Sequence, residues 1–399
     1  ASSEMRKDGL QNVTTPPVEV QHWVRGDESA KVLSPVKQKL HMLGLGRSIG
    51  TPPEGLRGEV VVVRNFDELA GLGRDGVAGK IVVYNVVYEG YGKTVKYRSS
   101  GASKAAELGA SAALVRSVTP VSLQSPHTGA MRYAEGVKEI PFAAISIEDA
   151  EILQRLTDAG ERVEVQLNME AQTLPPATSA NVIGEVVGWE KPDEVVVIGG
   201  HIDSWDVGQG AHDDGSGVVV AMQAAKLILD LGLKPRRTIR VVLWTNEENG
   251  LAGGRAYREW IGDEIAHHRA AIEMDSGAEK PVGFGLGIRR DDMAQHDADH
   301  AFALVSAIGN LLSPVAAADV VKGGGGADIS PLMREGVPGL GLRTVGKHYF
   351  DWHHTESDTI DKVNPEDLRA ALAAMTVMAY VLADMPGDLL PPLVAAQTR

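Results

Sequence analysis

Cysteine is absent from the 399 residues, which excludes disulfides, a thiol nucleophile, iron–sulfur clusters and thiolate zinc sites. Any metal would have to be held by His, Asp or Glu. The compartment stays open, because a chain of this size can be stable without disulfides. Positive charge is in deficit: 39 Lys and Arg against 53 Asp and Glu give a formal net charge of −14. A field of that sign repels phosphate backbones and anionic lipid heads, so nucleic acid and membrane surfaces are excluded as main partners. Long apolar runs are also missing. The uncharged stretch Ala370–Ala383 covers 14 residues, which suits a buried helix better than a bilayer span. Ala1–Gly9 is polar and has no apolar core of a signal peptide, and the chain opens without Met, so a processed leader is an expectation.

What is present is ordinary for a globular protein. Hydrophobic residues make up 43% and charged residues 23%, and a prior of about 150 residues per domain gives two to three domains. Residues 1–55 end in a Gly/Pro-rich run, Gly44 to Pro53, which reads as a boundary loop. Residues 56–170 carry short β-rich runs (Glu59–Val63, Lys80–Tyr84, Ala112–Val115, Phe142–Ile145, Arg162–Leu167) around one clear helix, Ser100–Leu108, and read as a small, mainly β module with a few helices. Residues 171–399 alternate apolar strands with amphipathic helices: strands Glu194–Ile198, Thr238–Trp244, Ala270–Met274 and Gly339–Leu342, and helices Gly217–Leu231, Gly253–Ile261, His300–Leu312 and Pro365–Leu382. That alternation predicts an α/β fold with a mostly parallel central sheet flanked by helices.

In open α/β sheets, ligands bind beyond the carboxyl ends of the strands. The run Val195–Ile198 is followed by Gly199-Gly200-His201-Ile202-Asp203. The run Val241–Trp244 is followed by Thr245-Asn246-Glu247-Glu248, and Ala271–Met274 by Asp275. After Leu342 comes a loop holding His348, Tyr349, His353 and His354. A glycine-rich turn, Gly210 to Gly217, places Asp213 at a helix start beside the first strand end. Acids and imidazoles thus leave four strands at one edge, a set that suits zinc when thiolates are lacking. Two zinc ions with Asp213, Asp275, Glu248 and two neutral imidazoles keep a residual positive charge, enough to lower the pKa of a bridging water from about 16 toward about 7. Glu247 is then placed to accept the water's proton and deliver it to a leaving amine, and Asp203 to orient His201.

Other histidines read as bland. His296 and His300 are spaced i, i+4 in a polar stretch with no strand feeding it, and are expected on a solvated surface. His267-His268 precede a core strand as surface or packing residues, and His127 is expected to be structural.

The set His201-x-Asp203, Gly210-Ala211-x-Asp213-Asp214-x-Ser216-Gly217, Glu247-Glu248, Asp275 and His354-Thr355-x-x-Asp358-Thr359 resembles the co-catalytic zinc peptidases of the bacterial aminopeptidase and glutamate carboxypeptidase type. The likeness extends through Gly79–Asn85, Thr94–Arg98 and Ser125–Gly129 of the small module, so it spans nearly the whole chain. It implies that Asp213 bridges two zinc ions, with His201 and Asp275 completing one site and Glu248 and His354 the other. Glu247 becomes the general base and acid, and Asp203 the support of His201. His353 rivals His354 by adjacency, but the His-Thr-x-x-Asp-Thr spacing favours His354. The small module becomes a protease-associated domain inserted into the peptidase domain. The resemblance further implies a homodimer, a secreted, periplasmic or lysosomal setting, and short peptides, especially dipeptides with free termini, as substrates. Tyr349 and His348 are candidates for contacting substrate, and the loop Gly323–Asp328 is expected to border the cleft. An aminopeptidase on the same fold is the alternative; an acid would meet a substrate amine, an Arg such as Arg343 a substrate carboxylate. A third reading is a receptor-like homologue without catalysis, disfavoured because every expected ligand type is present.

Overall fold

The computed structural model describes residues 1–121, 123–290 and 293–393. They form two compact units: Ala1–Val20, Thr178–Tyr349 and Asp358–Arg399 make the first, Gln21–Ala177 and Phe350–Ser357 the second.

The first unit is built on an eight-stranded sheet ordered Gln11–Thr14, Val182–Val186, Arg237–Trp244, Lys191–His201, His268–Glu273, Gly339–Thr344, Pro281–Gly287 and Asp319–Lys322. Four central strands, Arg237–Trp244 through Gly339–Thr344 in that order, run parallel. Both faces of this core are covered, so the strands read as continuous apolar runs rather than alternating ones. Val196, Ile198, Val241 and Leu243 pack with the helices Ser216–Asp230 and Pro365–Asp384. Their neighbours Val195, Val197, Val242 and Trp244 pack on the opposite face with Tyr257 and Ile261 of the helix Ala252–Ile261. Strand Lys191–His201 connects first to one neighbour and the chain then returns to pair on its other side. Its carboxyl end is therefore a topological switch point, where such sheets bind ligands. Among the described residues no helix is long and apolar enough to cross a membrane.

The second unit has its own eight-stranded sheet, ordered Gln38–Leu40, Glu28–Ser34, Glu164–Met169, Leu56–Val63, Ile81–Tyr84, Ala112–Arg116, Phe142–Ile145 and Met42–Gly44. Leu56–Val63 through Phe142–Ile145 run parallel, and the helices Phe66–Val77, Tyr91–Glu107 and Ile147–Asp158 cover the two faces. This is an α/β unit rather than the mainly β module expected, because two of its three helices were not read from the sequence. Its limits also differ from the expected 56–170. Glu28–Ser34 pairs with Glu164–Met169, which brings the chain from Gln21 onward into this unit. The Gly/Pro-rich run is no free linker: Thr51 N–H donates to Met169 O at 2.8 Å, and a Cβ on Gly50 would lie 2.6 Å from the same carbonyl.

Candidate metal centre and active site

His201 ends its strand with its imidazole buried. Nδ1 lies 2.9 Å from the carbonyl of Asp203; as Nδ1–H it donates there, which turns Nε2 toward the carboxylates. Nε2 lies 3.0 Å from Asp213 Oδ1 and 3.8 Å from Asp275 Oδ1, and one donor atom of each residue falls within 4.8 Å of the others. Ligands at the usual zinc distances of about 2.0 Å in a tetrahedral site stand about 3.3 Å apart, so these separations bracket what one ion needs. Electrostatics agree. Burial alone would depress His201, but the Asp213 and Asp275 carboxylates outweigh it and hold the imidazole well above its ordinary value. Burial, with Asp275 and Asp213 adding to it against His201, pushes Asp214 well above the carboxylate range. Such a cluster draws a cation, and the set His201, Asp213 and Asp275 fits zinc.

The turn that presents Asp213 is fixed from two sides. Asp358 accepts the backbone N–H groups of His212 (2.7 Å) and Asp213 (3.1 Å). Asp214 accepts those of His201 (3.1 Å) and Gly217 (2.9 Å). Gly200 makes this approach possible: a Cβ there would lie 2.2 Å from Asp214 Oδ2. Asp213–Asp214 is a cis peptide.

Glu247 and Glu248 follow the neighbouring strand in a turn closed by Gly250 N–H to Glu247 O and Gly253 N–H to Thr245 O, both 2.8 Å. Asp203 acts through two groups. Its carboxylate Oδ1 stands 3.7 Å from His201 Nδ1 and instead accepts Glu247 N–H at 3.0 Å, while Oδ2 accepts Glu248 N–H at 3.3 Å. Asp203 thus orients His201 through its carbonyl and the Glu-Glu turn through its side chain. Glu248 is buried and accepts Trp205 Nε1–H at 2.6 Å. Burial pushes Glu247 well above the carboxylate range; His201 opposes this, and Asp275, Glu248 and Asp213 reinforce it. Tyr349 donates toward Asp275 Oδ1 at 3.5 Å, its ring resting where Gly277 has no side chain. His348 N–H is held by the Glu279 carboxylate at 3.1 Å.

The glycine loop runs against the same strand ends: a Cβ on Gly326 would overlap the Glu273 carboxylate. Arg343 does not serve as a carboxylate receiver here, since it is paired with Asp319 at 2.7 Å on the surface. His296 and His300 are exposed on the helix Gln295–Asn310, and His268 is a packing residue bound to Tyr257 and Glu264, as expected.

His353 and His354 lie in the segment that folds with the second unit. Their rings stack, centroids 3.4 Å apart. His354 Nδ1 lies 3.2 Å from Thr128 O and 3.3 Å from Arg98 Nη1. His127 Nδ1 is 2.7 Å from His353 O; burial pushes this imidazole down to about 3, so it is a neutral structural donor. Arg98 is buried and donates to Thr128 O at 3.2 Å and Tyr91 OH at 2.7 Å, with Nη1 3.3 Å from His354 Nδ1. Trp205, Arg98 and Glu273 had no role read from the sequence, and Asp328 only that of closing the loop expected to border the cleft; the one signal available was for Glu273, an acid in the apolar run Ala270–Met274.

The chain is similar to known proteins over nearly its whole length. The profile described as Peptidase family M28 matches residues 181–379. Carboxypeptidase Q of Bos taurus is 43% identical over 97% of this chain and 80% of its own length. The crystal structure of a peptidase M28 precursor from Shewanella amazonensis superimposes with a TM-score of 0.91 at 39% identity, covering 98% of this chain and 88% of that one. A zinc aminopeptidase from Bacillus subtilis shares the fold, with a TM-score of 0.67 at 19% identity over 99% and 91% of the two chains. On identity sustained over nearly its whole length, the chain belongs to peptidase family M28 and is a metallopeptidase.

Proposed function

We propose that this metal-dependent exopeptidase carries two zinc ions and hydrolyses short peptides, dipeptides with free termini above all. The observation that carries the reading is the meeting of His201, Asp213 and Asp275 within one ion's reach, beside a half-buried acid, Glu247, whose backbone is fixed by Asp203. His201, Asp275 and Asp213 would hold the first ion. Asp213, Glu248 and, on the His-Thr-x-x-Asp-Thr spacing, His354 are assigned to the second. Ions bound there would polarise the peptide carbonyl and acidify a water. Glu247 takes the proton from the attacking water and delivers it to the departing amine. Tyr349 supplies a hydroxyl donor for the oxyanion that develops at the carbonyl.

Recognition of a substrate carboxylate, rather than an amine, is supported by the name of the relative carboxypeptidase Q. By the same resemblance we assign the second unit as a protease-associated domain, the protein as a homodimer, and its setting as secreted, periplasmic or lysosomal.

The test combines metal analysis with a peptide panel. Purified parent and Glu247→Gln protein should both hold two zinc ions per chain, and only the parent should hydrolyse dipeptides, losing activity to a chelator. Equal hydrolysis by both removes Glu247 from its role. Cleavage of amino-blocked but not carboxyl-blocked peptides supports a carboxypeptidase, loss of both a strict dipeptidase, and the reverse pattern the aminopeptidase alternative.

A further inference from the structure

His354 adopts a backbone conformation that few non-glycine residues take. Its φ of 64° lies in the left-handed region, and the residue is buried. Such a conformation persists only where the surroundings hold it, and such positions gather at functional sites. What holds it here belongs to the second unit, as His354 does. Thr128 N–H donates to His354 O at 3.1 Å, and the carbonyl of the same Thr128 meets His354 Nδ1 at 3.2 Å. One residue earlier, His127 Nδ1 meets His353 O at 2.7 Å. The loop is itself tied down, by Thr128 Oγ1–H to Gly44 O at 2.8 Å and by Gly46 N–H to Gly129 O at 3.0 Å.

Arg98, on the helix Tyr91–Glu107, closes this arrangement. Its buried guanidinium spans three points. Nη2 donates to Tyr91 OH at 2.7 Å, while Nη1 donates to Thr128 O at 3.2 Å and lies 3.3 Å from His354 Nδ1. Gly129 makes the room, since a Cβ there would lie 2.3 Å from Arg98 Cζ. A charge-assisted hydrogen bond therefore fixes the Thr128 carbonyl at the spot where it meets the imidazole. Metal-ligating histidines are commonly oriented by such a carbonyl through their second ring nitrogen, and Nε2 is then the ring atom left for an ion.

We propose that Arg98 is a positioning residue for His354: by pinning the Thr128 carbonyl it sets the plane of the imidazole that serves the second ion. The proposal rests on His354 being a ligand of that ion. Orientation and charge predict opposite signs here. Deleting a cation beside a cation site tightens metal binding by Coulomb's law, whereas loosening a ligand weakens it.

A zinc titration in chelator-buffered solution, read as bound metal per chain, separates the two. In Arg98→Met, which fills the space without a donor, the second zinc should need about 10- to 100-fold more free zinc, while the first binds as in the parent. Arg98→Lys, which keeps one charged donor, should recover part of that affinity. Parental or tighter binding of the second zinc in Arg98→Met overturns the proposal. So does equal weakening of both ions, the mark of a purely structural residue, or a Lys variant no better than Met. Should Arg98→Met fail to fold, Tyr91→Phe removes the hydroxyl that anchors Nη2 and should weaken the second zinc alone; parental affinity there overturns the proposal too. His354→Ala is the control. Two zinc ions bound with parental affinity in that variant refute the ligand assignment itself, while a second zinc lost in His354→Ala but not weakened in Arg98→Met refutes only the role given to Arg98.

Discussion

The bond between Trp205 and Glu248 offers the sharpest test of the second ion. Trp205 Nε1–H donates to Glu248 Oε2 at 2.6 Å, and both side chains are buried. Trp205→Phe keeps an aromatic ring in the space but deletes the donor. A hydrogen bond to a charged group contributes about 1.5–3 kcal/mol, and the loss is felt fully when the acceptor stays buried. Divided by 1.36 kcal/mol per decade, that range equals a change of about 10- to 100-fold in an equilibrium constant, which matches the usual effect of removing a group that orients a metal ligand. Trp205 is bonded to Glu248, a residue assigned to the second ion alone, so the first ion should be unaffected.

The assay is a zinc titration in chelator-buffered solution, followed by hydrolysis and by bound metal. One zinc per chain should bind as in the parent. The second should need about 10- to 100-fold more free zinc, and at saturation kcat should recover to within a few-fold. Unchanged affinity for both ions would show that Glu248 is not a ligand, or that its indole partner contributes packing alone.

Two further outcomes follow from buried groups. His268 donates from Nδ1 to Glu264 O and accepts at Nε2 from Tyr257 OH, both at 2.9 Å, while Arg240 donates to that hydroxyl at 3.2 Å; burial, with Arg240 adding to it, pushes the imidazole down to about 3. The unfolded chain, with His near 6.5, binds a proton that the folded state refuses, so stability is full above about pH 6.5 and falls as pH drops toward 3, by about 2 kcal/mol between pH 6.5 and 5. Denaturant unfolding of parent and His268→Gln at the two pH values should show that increment in the parent and its absence in the variant; parallel losses would refute the assignment. Gly200→Ala would set a Cβ 2.2 Å from Asp214 Oδ2, and displacing that carboxylate should lower stability by about 1–3 kcal/mol and reduce bound zinc; parental zinc content and melting temperature would show that the turn can yield.

The parts of this site legible in the sequence are those that depend on local pattern. Parallel strands buried on both faces are continuous apolar runs, so Val195–Ile198, Val241–Trp244 and Ala271–Met274 announced their own ends, and the chemistry sits directly after each end. Contacts that depend on distant pairing left no such trace. The 145 residues between Asp213 and Asp358 hide the clamp that sets the Asp213 turn, and nothing near Glu28–Ser34 shows that it pairs with Glu164–Met169. A residue quoted only as part of a spacing motif, Asp358, therefore gained a physical role, while Asp203 kept its expected place but changed the group it acts through. Asp328 is the extreme case. In the sequence it closes the glycine-rich loop expected to border the cleft, and no pattern there marks its carboxyl as buried. Composition and spacing can point to candidate ligands at strand ends, but how far each carboxyl is buried and how many backbone N–H groups it receives exist only once the chain has folded.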